Sequence, residues 1–478
     1  MLIRKRNYKY GLIICSLCLM SIALTSIQGR NGSINTEPVW ERVYETPNDE
    51  RPTQFLRAED GGYIITGSYL VGSASQTPWL MKVDSNGNEE WNKSYHLSTG
   101  SQGHLRSIVT TSDGGYAVAG FLFSTSSDRA TWDLWVLKLD NNGNEEWNRT
   151  FNGPEDGPDY AAQIALASDG GFLISGATQS KFALPTETWN TDYWLIKTDV
   201  NGNEEWNKTY HRVGSDQGTG LVPLTDGNYL LYGLSKQTSD LNSAFSVWVV
   251  KVDENGTIIW EHAYDKGTDW YGAWERNLIE TSDGGFLLSC YSFGNIYSMG
   301  NDYWIIKCDS EGDIEWNTTF GGNYYDTPCV CLQSSTGEYY IGGAYNSASG
   351  SEETGDMCIV RIDSSGAIRG YITYGKVTKG ERIVDMILTD SGTAIVALAF
   401  VDPGGSGLDY WDCWLGKFDN VNEITMSTTT ISSTTSSTTG SISPTSSTPT
   451  ATVPVSFLGA YFPLFILGVL LAYRRKRK

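Results

Sequence analysis

Carboxylates are the side chains in this sequence with the clearest capacity to hold a ligand. In four places an acidic residue stands ten residues before the turn of a repeated motif, and in a fifth place nine residues before it. A ring of such acids near a central channel could hold Ca²⁺ or another hard cation. Alternatively, each acid accepts hydrogen bonds from the backbone of the neighbouring repeat. The five acids are Glu50, Asp159, Asp216, Asp326 and Glu381.

Tryptophan forms the second set of candidates. Twelve of the 17 tryptophans occupy equivalent positions of a repeat, where packing between neighbouring strands explains them. The other five lie at or beside long variable loops, where aromatic rings stack against sugars or anchor protein partners, or plug their own loops. These candidates for ligand binding are Trp132, Trp189, Trp270, Trp274 and Trp411.

Signals for catalysis are weak in this chain. Histidine occurs only 4 times, which nearly excludes a histidine-built zinc site. The sequence contains no nucleophile elbow, metal-ligand run or phosphate-binding loop. A glycoside hydrolase would need two carboxylates about 5 to 9.5 Å apart, and sequence alone does not establish such a distance. We therefore predict no catalytic residue and no cofactor other than Ca²⁺, and keep a polysaccharide-acting enzyme, a hydrolase or lyase, as the alternative.

The elements that must position these residues come from a repeat of about 55 residues. A turn signature of the Asp-Gly-Gly-aromatic type recurs seven times at intervals of 53 to 57 residues. Each unit continues with an apolar strand, a variable loop, a strand that carries Trp and Lys-x-Asp, an Asn-Gly turn and a returning Trp strand. The seven turns begin near residues 60, 113, 169, 226, 283, 336 and 390.

Four strands in each of seven units predict an all-β fold, a seven-bladed β-propeller. The seventh unit lacks a returning Trp strand, whereas an unmatched Trp40 precedes the first unit. We therefore expect the N-terminal strand to complete blade seven and close the ring. Because both tight turns of each unit lie at one edge, the long variable loops share the opposite face, where function on rigid scaffolds usually lies.

The Gly-Gly-aromatic strand, the Lys-x-Asp-x-x-Gly turn and the outer-strand Trp resemble kelch and related bacterial and archaeal β-propeller repeats over residues 40–419. The resemblance implies the fold and not the chemistry, because those families include both binding scaffolds and enzymes. The order of segments along the whole chain also resembles archaeal cell-surface proteins.

Both ends of the chain carry membrane signals. Residues 1–29 have a basic start and a short apolar run, which is typical of a secretory signal peptide. Residues 425–454 form a Ser/Thr-rich stalk between the propeller, residues 30–424, and an uncharged segment at 455–473. That segment is long enough for one transmembrane helix, and the basic residues 474–478 predict a cytoplasmic tail. The expected location is the cell membrane, with the propeller outside the cell.

The remaining composition fits an exported protein. Of 34 basic residues, nine lie in the two termini, so the body is left with 25 against 55 acidic residues and would repel nucleic acid. The six cysteines beyond the signal peptide allow disulfides, and buried free thiols are equally compatible with their strand positions. Six Asn-x-Ser/Thr sequons predict a glycoprotein. They begin at Asn31, Asn92, Asn148, Asn207, Asn255 and Asn317.

Together these features predict a membrane-anchored extracellular propeller that acts as a binding, adhesion or cell-envelope module. Its ligand, a protein or a carbohydrate at the cell surface, is expected at the long-loop face.

Overall fold

The computed structural model describes most of the repeat region and, of the predicted terminal segments, only Thr425. The described residues are 37–44, 48–71, 75–96, 102–124, 131–155, 157–179, 191–212, 214–236, 245–265, 271–272, 277–293, 301–322, 325–347, 355–375, 380–401 and 411–425. Within these ranges no helix has the length and apolar character needed to cross a bilayer. The predicted signal peptide, nearly all of the stalk, the span and the tail lie outside the described residues.

The described strands form seven antiparallel sheets, which confirms the seven-bladed, all-β prediction. Each complete blade is a meander in which four successive strands run from the innermost to the outermost position. Blades 1 to 3 contain β2 (Asp49–Arg57), β3 (Tyr63–Val71), β4 (Ser75–Val83), β5 (Glu89–Ser94), β6 (Gln102–Thr110), β7 (Tyr116–Ser124), β8 (Thr131–Leu139), β9 (Glu145–Phe151), β10 (Tyr160–Leu166), β11 (Phe172–Gln179), β12 (Thr191–Thr198) and β13 (Glu204–Tyr210).

Blades 4 to 6 repeat this plan, except that the innermost strand of blade 5 is described in two pieces. They contain β14 (Asp216–Pro223), β15 (Tyr229–Lys236), β16 (Phe245–Val252), β17 (Ile258–Tyr264), β18 (Tyr271–Gly272), β19 (Leu278–Glu280), β20 (Phe286–Phe293), β21 (Asn301–Cys308), β22 (Ile314–Phe320), β23 (Tyr325–Gln333), β24 (Tyr339–Ser347), β25 (Asp356–Ile362) and β26 (Ile368–Tyr374).

Blade 7 is closed by the N-terminal strand, as the unmatched Trp40 predicted. Its sheet runs from β27 (Glu381–Leu388) through β28 (Ile395–Val401) and β29 (Asp412–Phe418) to β1 (Trp40–Tyr44). Strand β1 pairs antiparallel with β29, from Trp40 opposite Lys417 to Tyr44 opposite Cys413. The last blade is thus completed by the first strand of the described chain.

A buried lysine explains why three motifs recur together in four of the blades. In blade 2, Lys138 is only 3 % exposed, and its Nζ lies 2.8 Å from Oδ2 of Asp113 and 2.7 Å from Oε2 of Glu146. Removing an ammonium group from water is costly unless it is paired, and these two carboxylates pair it. The Asp-Gly-Gly turn, the Lys-x-Asp strand and the Glu-Glu-Trp strand are therefore three parts of one ion cluster. The same cluster occurs at Lys82, Lys197 and Lys307.

Neighbouring blades join where an Asn-Gly turn meets the outer strand of the preceding blade. Gly202 of blade 3 lies against the indole ring of Trp147, the outer-strand tryptophan of blade 2. Tyrosines from the outer strands strengthen the same joint, since the hydroxyl of Tyr95 donates to the carbonyl of Gly143 at 2.9 Å. At the ring closure, the hydroxyl of Tyr44 donates to the carbonyl of Gly87 at 2.8 Å. The closure therefore repeats the tyrosine–glycine contact that Tyr95, Tyr210 and Tyr264 make at three other joints.

Candidate functional site

The five acids singled out in the sequence all lie at the entrance to an innermost strand. Glu50, Asp216 and Glu381 are in the first residues of β2, β14 and β27, Asp159 directly precedes β10, and Asp326 is the second residue of β23. All five are at most 4 % exposed. The structure therefore places them inside the joints between blades.

Hydrogen bonds from backbone N–H groups offset part of the cost of burying these carboxyl groups. Oδ2 of Asp159 accepts from the N–H of Gly153 at 2.7 Å, and Oδ2 of Asp216 accepts from the N–H of Arg212 at 2.6 Å. Asp326 accepts in the same way from Gly322 at 2.6 Å. These donors belong to the segment that leads into the strand, so the acids fix the chain where it crosses from one blade to the next.

A second carboxyl group, missed in the sequence reading, faces these acids from the preceding blade. It stands two residues before the third-strand tryptophan, or before Cys358 in blade 6. A Cβ on Gly321 would lie 2.0 Å from Oδ1 of Asp302 and 2.9 Å from Oδ2 of Asp326, so both carboxyls crowd one glycine. The recurring Asp-x-Trp pattern carries this signal in the sequence. The second carboxyls are Asp133, Asp192, Asp302, Asp356 and Asp412.

Burial raises the pKa of the acids in three of these joints. It raises the pKa of Glu50 to about 8, and the charge and hydrogen bond of Asp412 add to the rise. For Asp159 burial raises the pKa to about 6 and the charge of Asp133 acts in the same direction, while the hydrogen bond from Gly153 opposes both. Burial also raises the pKa of Asp216 to about 7. Near neutral pH the carboxyl of Glu50 is therefore mainly protonated, whereas Asp216 is near its midpoint and Asp159 is mainly ionised.

Substituting two of these acids should change how stability depends on pH. A folded pKa raised to about 6 for Asp159 and about 7 for Asp216 means that their stabilising contribution is complete below about pH 4 and is lost as pH rises through these values. We expect Asp159→Asn and Asp216→Asn to raise the melting midpoint at pH 8 by about 2 to 5 °C and to have little effect at pH 5. Melting curves of the secreted propeller from pH 4 to 9 measure this.

Asp169→Asn is a control with the opposite sign. The pKa of Asp169 is lowered, chiefly by its hydrogen bond to Lys197, so its contribution is present above about pH 4 and lost as pH falls. This variant should lower the midpoint at pH 8. A flat pH profile for the unmodified propeller, or a lower midpoint at pH 8 in Asp216→Asn, would contradict the raised pKa values of these buried acids.

A bound cation is the other hypothesis for these acids. Within the described ranges, no three His, Cys, Asp or Glu side chains come together as a metal site would require. The Ca²⁺ ring therefore stays a prediction.

Two of the five candidate tryptophans lie in the described part of the chain, and both pack on phenylalanine. The ring of Trp132, in strand β8, meets Phe121 edge to face at 5.2 Å between centroids. Trp411, directly before β29, meets Phe400 in the same manner at 5.2 Å. Both are half-buried, so part of each ring stays accessible at the long-loop edge. Trp189, Trp270 and Trp274 lie outside the described residues.

The cysteines and the sequons occupy different environments. All six cysteines of the propeller are buried free thiols, which is one of the two alternatives left open by the sequence.

Five of the six sequon asparagines lie in described segments, and Asn31 does not. Asn92, Asn207, Asn255 and Asn317 are exposed, whereas Asn148 is half-buried.

A cavity of about 260 Å³ opens between the closing strand β1 and blade 1. It combines aromatic rings with amide, hydroxyl and carboxyl groups, a mixture suited to a hydroxylated ligand that has one apolar face. Its walls include Tyr44, Glu50, Tyr69, Trp79, Asn92 and Ser94.

Both ends of the described chain lie at the edge that carries the tight turns. The N–H of Val39 donates to the carbonyl of Lys417 at 2.7 Å. Lys417 lies near the C-terminal end of β29, from which the chain continues toward residue 425. The N–H of Val421 donates to the carbonyl of Thr393, in the tight turn of blade 7, at 3.0 Å. The connections between the second and third strands of each blade join strand ends at the opposite edge.

No family model matches the sequence. The chain is 24 % identical over 425 residues to the regulatory protein FlaEY of Caulobacter vibrioides, a match that covers 78 % of this chain and 42 % of that protein. The chain thus spans less than half the length of the curated relative that it matches.

Solved β-structures also align with the chain. YCF48 bound to D1 peptide is 10 % identical with a TM-score of 0.46, and the match covers 82 % of this chain and 99 % of that structure. The α-L-arabinanase of Penicillium chrysogenum complexed with arabinobiose is 12 % identical with a TM-score of 0.43, and covers 82 % of this chain and 99 % of that structure.

Proposed function

We propose that this protein is a membrane-anchored extracellular propeller that binds a protein or a carbohydrate through its long-loop face. The observation that carries the proposal is that both ends of the propeller lie at the tight-turn edge. A stalk that leaves from this edge would hold the long-loop face away from the membrane. The half-buried rings of Trp132 and Trp411 at the long-loop edge support the same assignment, since such aromatic groups stack on sugars or anchor partners.

The sequence features of the termini complete this proposal. A signal peptide, a Ser/Thr-rich stalk, an apolar span and a basic tail would display the ring outside the cell. The resemblance of this order of segments to archaeal cell-surface proteins agrees with an envelope role. The alternative is an extracellular enzyme that acts on polysaccharide. The five acids at the entrances to the innermost strands are at most 4 % exposed, which makes them poor candidates for catalysis on a polysaccharide.

Binding should depend on the long-loop face and not on the tight-turn face. We expect replacement of residues 180–190 or 402–410 by Gly/Ser segments of equal length to reduce binding of surface glycans or surface proteins at least tenfold. Glu89→Lys and Glu254→Lys, on exposed residues at the tight-turn edge, serve as controls and should leave binding unchanged. Glycan arrays and pull-downs with the secreted residues 30–424 measure both.

The same preparations separate the alternatives. Binding that is lost in the two control variants and kept in the loop replacements would overturn the assignment of the binding face. Release of oligosaccharides from a polysaccharide, abolished by the loop replacements, would establish the enzyme in place of the binding module.

A further inference from the structure

The cavity beside the closing strand is lined in part by Trp79, whose indole N–H the protein does not use. The indole N–H of Trp79 is buried and has no acceptor among the described residues. The equivalent groups of Trp194 and Trp304 donate to Oδ1 of Asn207 and Asn317, at 3.3 and 3.2 Å. The indole N–H groups of Trp135 and Trp248 likewise have no acceptor among the described residues, so the observation that matters at Trp79 is that its side chain also lines a cavity.

The residue that corresponds to those two asparagines is Asn92, which lines the cavity. Its side chain is exposed on strand β5 and begins the sequon Asn92-Lys93-Ser94. No hydrogen bond of its carboxamide occurs within the described part of the chain, whereas Nδ2 of Asn207 donates to Glu204 at 2.6 Å. Ser94, the sequon hydroxyl, lies 2.9 Å from the hydroxyl of Tyr69 on another wall of the cavity.

The shape and chemistry of the cavity suit one sugar residue. Tyr44, Tyr69 and Trp79 provide ring faces and edges for the apolar side of a pyranose. The hydroxyl groups of Tyr69 and Ser94, which also line the cavity, provide partners for its hydroxyl groups. A sugar attached at Asn92 would begin at the cavity mouth, so the loss of freedom on binding would be small.

We propose that the first sugar of an N-linked glycan on Asn92 fills this cavity and clamps the closing strand β1 to blade 1. The proposal rests on the export proposed above, because the acceptor must meet an activated glycosyl pyrophosphate donor. In that transfer a bond forms between Nδ2 of Asn92 and C1 of the sugar. The bond from C1 to the pyrophosphate oxygen breaks, pyrophosphate leaves with the electron pair, and Nδ2 loses one proton to solvent.

The clamp stabilises the ring because its two walls come from the two ends of the chain. Tyr44 belongs to β1 and Cys413 to β29 of blade 7, whereas Trp79 and Asn92 belong to blade 1. A sugar in contact with both walls binds the closed ring and not the opened one, so it shifts the equilibrium toward closure.

The test uses the full chain expressed in a host that exports and glycosylates it. Mass spectrometry of the Asn92 peptide reports occupancy, and melting of the purified protein reports stability. We expect Asn92→Gln and Ser94→Ala to remove the glycan and lower the midpoint by about 3 °C or more. Ser94→Thr keeps the sequon and the hydroxyl and should match the unmodified chain. Asn317→Gln removes the equivalent sequon of blade 5 and should shift the midpoint by less than half as much.

A second preparation without glycosylation separates the sugar from the amino-acid change. In chain made in a cytoplasm that lacks the transferase, Asn92→Gln should have no effect relative to its parent. An exported chain with a bare Asn92, or equal shifts for Asn92→Gln and Asn317→Gln, would overturn the clamp and leave the proposed binding function intact. Surface labelling that finds no exported propeller would instead overturn the proposed function, and the clamp with it.

Discussion

Deleting residues 36–45 should unfold the whole propeller and not fray one end. The deletion removes β1, whose five residues pair with β29. It also removes the closing contacts with blade 1, including the hydrogen bond from Tyr44 to Gly87. Glu41 is lost as well, and its Oε2 accepts from the indole of Trp414 and the hydroxyl of Tyr374, each at 2.8 Å. Blade 7 would keep three strands and expose its third strand as a new edge.

The expected loss is comparable with the stability of a whole domain. Each lost hydrogen bond contributes about 0.5 to 1.5 kcal/mol net, and exposing the half-buried Trp40 adds roughly 1 to 2 kcal/mol. Typical domains have only about 5 to 15 kcal/mol in total. Denaturant melts of residues 30–424 with and without the segment should therefore show a large drop in the midpoint of one cooperative transition.

The matched control for this deletion is removal of residues 30–35 alone, which should leave the midpoint unchanged. A peptide of residues 37–45 added to the deleted protein should restore stability in a concentration-dependent manner, because it binds only the folded ring. If the deleted protein melts at the original midpoint, β1 does not hold the ring closed.

The sequence predicted the blades because each blade repeats the same solution to the same packing problem. In blades 1, 2, 3 and 5 the three motifs recur because two carboxylates pair one buried lysine. Blades 4 and 6 keep a paired cation in other ways, with Lys251 bound to Asp226 and Arg361 bound to Glu338. The unmatched Trp40 predicted the closure for the same reason, since one blade lacked one strand. Periodicity is thus visible wherever the contacts lie within one repeat.

Contacts between different repeats were harder to predict. The pairing of Asp159 with Asp133 joins residues of two blades, and only the recurrence of Asp-x-Trp hints at it. Blade 6 has Gly370 where most blades have an outer-strand tryptophan, and a Cβ there would lie 2.5 Å from the backbone of Thr425. The chain exit thus covers this position, a non-repeated contact that no periodic pattern reveals.

A second large loss of stability is expected from substitutions at the turn glycines that contact the outer-strand tryptophans. Gly202 has a φ of +74°, and a Cβ there would lie 2.5 Å from Cζ3 of Trp147 in the preceding blade. Gly170, in the other tight turn of the same blade, has a φ of +86° and nothing within 4 Å of a built Cβ. Gly170→Ala therefore isolates the cost of a left-handed backbone, and Gly202→Ala adds a collision between blades.

We expect Gly170→Ala to cost about 1 to 2 kcal/mol of unfolding free energy. For Gly202→Ala we expect a further cost of about 1 to 3 kcal/mol, because the ring of Trp147 or the whole turn must move. Denaturant melts of the two variants, together with Trp147→Ala and the double variant Trp147→Ala/Gly202→Ala, form a double-mutant cycle.

Removal of the indole should cancel the collision, so the added alanine at residue 202 should then cost no more than the alanine at residue 170. Equal costs for the two glycine variants in the presence of Trp147 would mean that the indole does not confine the turn. The joint between blades 2 and 3 would then depend on other contacts.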